Sequence, residues 1–236
     1  MSTTENHRVA RRARPPRPAW VLPTMLVCLA LLIALVSVLG TMALGTAQYG
    51  YIYVDINPSF RLTVNRFYRV MAVEGIGETG KTVLSGIDPK LLQNAEIKDV
   101  TSAIVSACAT AGYLPEEGKF VLISSYAEGE TIAKDLNRRA VDGVLYHPQM
   151  GGVSVNVAVL SRELIDEAAT LGISPGKLRL ARSLEGGAEV WASRPVGEIF
   201  AALNAQTEAA TTLPDTLPET TPEETTEGRP SNGMLK

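Results

Sequence analysis

From residue 52 to residue 64 the chain alternates without a break. Ile52, Val54, Ile56, Pro58, Phe60, Leu62 and Val64 share one parity, and Tyr53, Asp55, Asn57, Ser59, Arg61 and Thr63 share the other. Period two over such a length predicts a strand with one buried face. Asn65-Arg66 is placed to turn the chain into a second strand over 67–74. Pro58 fits badly, because it removes a ladder hydrogen bond from the middle of the first strand. Downstream, "EGIGETGK" (74–81) reads as a glycine-rich loop. A helix follows, with Asp88 as its cap and Pro89 at its first position, passing through Cys108 to a stop at Gly112. "KFVLISSY" (119–126) is a short apolar run suited to a central strand, and 127–145 is mostly helical. "VSVNVAVLS" (153–161) alternates again as a strand. Residues 162–172 form a helix ended by Gly172, and 173–184 begin a last helix with Ser174 as cap and Pro175 in its first turn. The order β-β-α-β-α-β-α-α predicts an α+β domain over 48–184, a small mixed β-sheet with helices packed on one face. Residues 185–204 add a short helical extension, where "VGEIFAALNA" has helical character.

The two ends differ from this domain and from each other. "TMLVCLALLIALVSVLGTMAL" (24–44) is charge-free and mainly apolar, about as long as the roughly 20 residues that a bilayer-spanning helix needs. This predicts a transmembrane helix within 20–47, with Trp20 at the interface and Pro23 near the helix start. A cleaved signal peptide is the rival, with Gly45-Thr46-Ala47 as small residues at the cleavage site; the length of the apolar run favours the uncleaved anchor. Residues 1–19 carry Arg8, Arg11, Arg12, Arg14 and Arg17 against Glu5. By the positive-inside rule this basic segment is cytoplasmic and the domain after the helix is extracytoplasmic in a single-pass cell-membrane protein. Residues 205–236, rich in Thr, Pro and Glu, have no apolar periodicity and are expected to be a disordered tail.

Overall net charge is only −3. The separation of a basic start from an acidic end describes topology, and no nucleic-acid partner is expected. Cys28 and Cys108 cannot pair across the membrane boundary, so no disulfide framework is expected, and Cys108 reads as a small buried hydrophobe. His7 and His147 are the only histidines, and no metal-ligand spacing or cofactor is expected. His147 reads as a loop residue. "GIGETGKT" (75–82) faintly resembles a phosphate loop and is read instead as a loop after a strand. Tyr51 and Tyr53 suit either an aromatic girdle at the membrane surface, together with Tyr49, or packing on a sheet face.

Three stretches carry a family resemblance. Tyr51 with Asp55–Ser59 reads Y-x-x-x-D-I-N-P-S, Val64–Val70 reads V-N-R-F-x-R-V, and Leu171–Lys177 reads L-G-I-S-P-G-K. Placed after a membrane segment, they resemble the extracytoplasmic middle domain of the RsgI transmembrane anti-sigma factors, over roughly 49–184. The D-I-N-P-S and V-N-R-F stretches carry most of that likeness; S-P-G-K alone is mostly helix-start chemistry. The resemblance implies self-cleavage of the Asn57–Pro58 bond, fragments that stay paired in one sheet, and sigma-factor release by intramembrane proteolysis once they separate. It further implies a polysaccharide or wall-related ligand. The chain departs from the family in having only 19 residues before Trp20, arginine- and proline-rich, where the family places a folded sigma-binding domain. The expected cytoplasmic partner is therefore either a sigma factor held by a short segment or a separate regulator.

The residues themselves supply a chemistry for such a cut. Period two puts Asp55, Asn57 and Ser59 on one face. Proline biases Asn57 toward an extended backbone. The Asn57 side-chain nitrogen can attack its own carbonyl carbon, closing a succinimide and expelling the proline amine. The usual competing attack by the next backbone nitrogen is blocked, because Pro58 has no N–H. Asp55 can orient or deprotonate the amide, and Ser59 can stabilise the oxyanion or act as the nucleophile. The plainer reading is a proline bulge in an edge strand, with Asp55 and Ser59 as solvated residues. Two functions follow. One is an anti-sigma-type signalling protein with, at most, single-turnover autoproteolysis. The other is a non-cleaving, membrane-anchored surface scaffold or binding protein.

Overall fold

A computed structural model describes residues 21–114 and 119–211. The alternation over 52–64 is present, but it belongs to two strands. β1 (Gln48–Asp55) and β2 (Ser59–Asn65) form an antiparallel hairpin in which Asp55 faces Ser59, Val54 faces Phe60 and Ile52 faces Leu62. Ile56, Asn57 and Pro58 make the turn, closed by the Ile56 N–H donating to the Pro58 carbonyl at 2.9 Å. Residues opposed across this turn have the same parity, so a hairpin with this register and one unbroken strand produce the same period. Pro58 therefore interrupts no ladder. The reading of an edge-strand bulge also fails, because the sheet order is β3-β2-β1-β4-β5 and both strands of the hairpin are interior.

Asn65-Arg66 does turn the chain, into β3 (Val70–Ile76), which pairs antiparallel with β2. The expected glycine-rich loop is instead the end of β3 and a helix, α2 (Gly77–Ser85). Its glycines serve close packing: a Cβ on Gly75 would lie 2.2 Å from the Gly80 carbonyl carbon, and one on Gly80 would lie 2.6 Å from the Ser59 carbonyl oxygen. Residues 75–82 do have the full G-x-x-x-x-G-K-T spacing of a phosphate loop. No loop separates β3 from α2, however, and Lys81 is paired with Glu78 at 2.7 Å, so no backbone cradle forms there.

Asp88 accepts from the Lys90 N–H at 2.9 Å, but caps only a single 3-10 turn; the long helix α3 starts later (Ile97–Thr110). β4 (Phe120–Ala127), α4 (Glu130–Leu145) and β5 (Ser154–Val159) form a βαβ unit, with β4 antiparallel to β1 and parallel to β5. α5 (Arg162–Leu171) and α6 (Pro175–Arg182) follow, then α7 (Gly187–Trp191) and α8 (Val196–Thr211). α8 carries helix into 205–211, which the sequence assigned to the tail. The rest of that tail and the basic segment lie outside the described residues.

The fold is α+β with a mixed sheet, as expected, and the sheet has five strands instead of four because the alternating run 52–64 is divided between two of them. The larger core fills one face, where Ile52, Val54, Phe60, Leu62, Val121 and Ile123 meet Val100, Ile104, Val105 and Cys108 of α3 and Leu136, Ala140 and Val144 of α4. Cys108 is wholly buried there, and burial pushes its thiol up to about 12. Helices on one face is an incomplete description. Tyr53 packs with Leu160 and Ile165 on the opposite face, and Phe120 and Leu122 pack with Val196 of α8. The odd positions read as solvated are partly covered, because the second helical layer comes from residues beyond 160, far from them in sequence. Tyr51 and Tyr53 belong to this packing. His147 is a loop residue whose Nδ1 accepts from the Gln149 N–H at 3.3 Å.

The membrane-type segment is α1 (Val21–Thr46). Within it Pro23–Thr46 is long and apolar enough to cross a bilayer, and all of these residues are exposed except Gly45, which is half-buried where the helix meets the domain. Only Ala47 separates α1 from β1.

Candidate functional site

Asp55 is the last residue of β1, two positions before Asn57, and it is wholly buried. A carboxyl in that position has lost its water and needs partners from the protein. They come from the start of α6. Gly172 ends α5 in the left-handed conformation, with φ 66°, and the chain then presents Ser174 as the cap of α6, with Pro175 at the first helical position. The single Ser174 hydroxyl accepts from the Lys177 N–H at 3.2 Å and donates to Asp55 Oδ2 at 2.5 Å. The approach depends on Gly176: a Cβ there would lie 2.5 Å from Ser124 Oγ and 3.2 Å from Asp55 Oδ2.

The structure therefore joins L-G-I-S-P-G-K to D-I-N-P-S. Sequence reasoning left Ser174 with a capping role only, and gave Gly176, Lys177 and Ser124 no role. The available signal was the pair of glycines flanking Ser-Pro: one ends a helix, and the other has no helical purpose in a first turn.

Burial is the largest influence on Asp55 and pushes its carboxyl up to about 6. The Ser174 hydroxyl, Ser59 and the Lys177 ammonium, in that order, oppose the rise. Lys177 is itself lowered by burial and partly restored by Asp55. Ser59, opposite Asp55 in the ladder, does not complete a hydrogen bond to Oδ1, which is unpartnered. Ser124 Oγ is unpartnered too. Each such buried atom costs about 1–3 kcal/mol, so the fold carries a polar cluster that it does not need for packing.

Above this cluster sits the turn. Asn57 is exposed at φ 82°, which corrects the extended backbone expected from its place before proline. A three-residue turn requires one left-handed residue, and asparagine tolerates that region better than most side chains. The Asn57–Pro58 peptide is cis, and Pro58 is buried. Among the described residues no hydrogen bond holds the Asn57 side chain, so its amide is uncommitted there. The structure thus brings Asp55 and Ser59 together beneath the turn and leaves the Asn57 amide unattached at its tip. Asp55 is not the solvated residue of the plainer reading; Ser59 is half-buried.

A buried carboxyl titrating near 6 is mostly ionised at neutral pH, yet basic enough to take a proton from a neighbour. The arrangement suits one proton transfer inside the protein. Among the described residues no group of three His, Cys, Asp or Glu side chains is arranged to hold a metal.

Comparison with known proteins matches residues 49–183 to the family described as the anti-sigma factor RsgI-like central domain. An anti-sigma-I factor of Acetivibrio thermocellus, RsgI7, is 25% identical over 161 residues, which cover 64% of this chain and 29% of that protein. The anti-sigma-I factor RsgI of Bacillus subtilis is 31% identical over 80 residues, 34% of this chain and 20% of that protein. A second Acetivibrio thermocellus protein, RsgI9, is 27% identical over 78 residues, 33% of this chain and 11% of that protein. The chain thus matches less than a third of the length of each of these relatives.

Proposed function

Because this chain belongs to the RsgI-like anti-sigma factor family, with the central domain at residues 49–183, we propose that it is a membrane-anchored signalling protein whose domain cuts itself once at Asn57–Pro58. In this reading α1 spans the membrane, the arginine-rich start is cytoplasmic and the domain is extracytoplasmic. The observation that carries the cleavage reading is Asp55: a fully buried carboxyl beneath an Asn-Pro turn, held by a hydroxyl from a helix 119 residues away in sequence.

The reaction is internal. Asn57 Nδ2 attacks the Asn57 main-chain carbonyl carbon, forming the new C–N bond of a succinimide. Asp55 accepts the proton released from Nδ2. The bond from that carbon to the Pro58 nitrogen breaks, and the proton passes to the nitrogen, which leaves as a secondary amine. Water then opens the succinimide. Ser174 and Lys177 keep the carboxyl in place and favour its ionised form. Tight turnover on an external substrate is not part of this reading.

Both products remain in one sheet, because β1 belongs to the first fragment while β2 and β4, its two neighbours, belong to the second. Their separation would admit an intramembrane protease to α1 and change the hold on a sigma factor, either directly or through a separate cytoplasmic regulator. A wall or polysaccharide ligand is the proposed trigger. Denaturing electrophoresis and intact mass of the purified full chain test the cut. The expected pieces have 57 and 179 residues, together the 236 of the chain, and the second begins with proline. A single intact species after prolonged incubation at pH 7.5 would instead leave a non-cleaving anchored scaffold.

A further inference from the structure

The turn between β2 and β3 touches α1. Asn65 Nδ2 donates to the Gly45 carbonyl at 2.8 Å. Beside it, Phe67 lies against the last turn of α1: a Cβ placed on Gly45 would meet Phe67 Cε2 at 3.7 Å. Gly45 is inside the apolar span Pro23–Thr46, so the Phe67 ring sits at the depth where that span ends. The ring is nevertheless 50% exposed. Arg66, also exposed, stands 5.5 Å over the Tyr49 ring and has no acidic partner among the described residues. Tyr49 meets Tyr68 edge to face at 6.1 Å, and Arg139 lies 3.9 Å over Tyr68. Aromatic rings backed by arginines at the end of an apolar helix are the composition that settles at a lipid headgroup layer.

We propose that the Asn65–Arg69 turn is a second membrane contact: Phe67 enters the headgroup boundary beside α1, and Arg66 binds lipid phosphate. The inference rests on α1 crossing the bilayer. It makes the domain a fixed post, because one helix alone leaves rotation about its axis free and an adjacent interfacial side chain removes that freedom. It also sets the Asn57–Pro58 turn at the opposite end of β1, whose eight residues span about 24 Å from their first residue to their last.

The test is the full chain in vesicles of equal phosphatidylglycerol and phosphatidylcholine, with Trp20 and Trp191 replaced by Phe. Single tryptophans are placed by Phe67→Trp, Leu32→Trp within α1, and Leu171→Trp at the far end of the domain. Lipids brominated near the headgroup should quench emission at 67 at least two-fold and leave 171 unchanged. Arg66→Glu should lower the quenching at 67 by roughly half in these vesicles. Deep-brominated lipids should quench position 32. Quenching at 32 without any at 67 overturns the second contact while the spanning helix stands. No quenching at 32 overturns the membrane reading, and this inference with it.

Discussion

Two asparagines turn successive corners of the same sheet, and they are held in opposite ways. Asn65, 4% exposed, has both ends of its amide committed: Nδ2 donates to the Gly45 carbonyl, and Oδ1 accepts from the Phe67 and Arg69 N–H groups, both at 3.0 Å. Asn57 has none of these ties. A side-chain amide that already spends its nitrogen on a carbonyl cannot also attack one, so Asn65 is a structural peg. Asn57, with proline after it and Asp55 buried beneath, is the residue to which the proposed cut is assigned. The same residue type at two turns of one sheet is thus tied down by hydrogen bonds at one and, in the proposed reading, reactive at the other.

The sharpest way to break this contrast is to exchange the two roles. Asn57→Ala should abolish cleavage entirely, giving one band on a denaturing gel, whereas Asn65→Ala should leave the two fragments unchanged. Cleavage in both variants would remove the first fragment's end from residue 57. Next in size is Asp55→Asn, expected to slow the cut by about 100-fold or more, the usual worth of a positioned base. In the parent the rate should rise with pH through about 6 and then level off; a rate that falls over that range would make Asp55 a proton donor instead. Ser174→Ala removes the strongest influence holding the Asp55 carboxyl down. It should slow cleavage by roughly ten-fold and move the midpoint of the pH profile upward, a shift that simple unfolding would not produce.

Smaller effects concern stability. In the uncut Asn57→Ala chain, Asp55 binds its proton more tightly folded than unfolded. Stability should therefore be greatest below about 4 and fall as pH rises through about 6, by on the order of 3 kcal/mol, in chemical denaturation. Asp55→Asn should flatten that slope. Asn65→Ala should lose about 1–3 kcal/mol with its buried hydrogen bonds, lowering Tm by several degrees.

Much of this was legible in the chain. The strand parities, the Ser174 cap and the Gly172 stop are local matters, and local rules found them; Asp88 does cap, but a 3-10 turn and not the long helix expected from it. The division of 52–64 into two strands was not legible, because an odd-length turn leaves the period intact. Asn57-Pro58 was itself the turn signal, and the unbroken alternation overrode it. The α2 helix was hidden behind glycines that look like loop residues and serve instead as contact points between backbones. The partners of Asp55 were invisible for a different reason. No pattern in a single sequence links residue 55 to residues 174 and 177; only the folded sheet places α6 across the end of β1.

The position of β1 has a consequence for timing. A strand at the middle of a five-stranded sheet, with Ile52 and Val54 wholly enclosed, cannot slip out while its neighbours remain assembled. In the proposed reading, where the chain is cut at Asn57–Pro58, the lifetime of the pair is bounded by the rate at which the whole domain comes apart. On that reading the covalent break would be an arming step, and the clock would be the unfolding barrier. Any change that loosens the packing around α3 or α4, far from the turn, would shorten the delay before the signal passes.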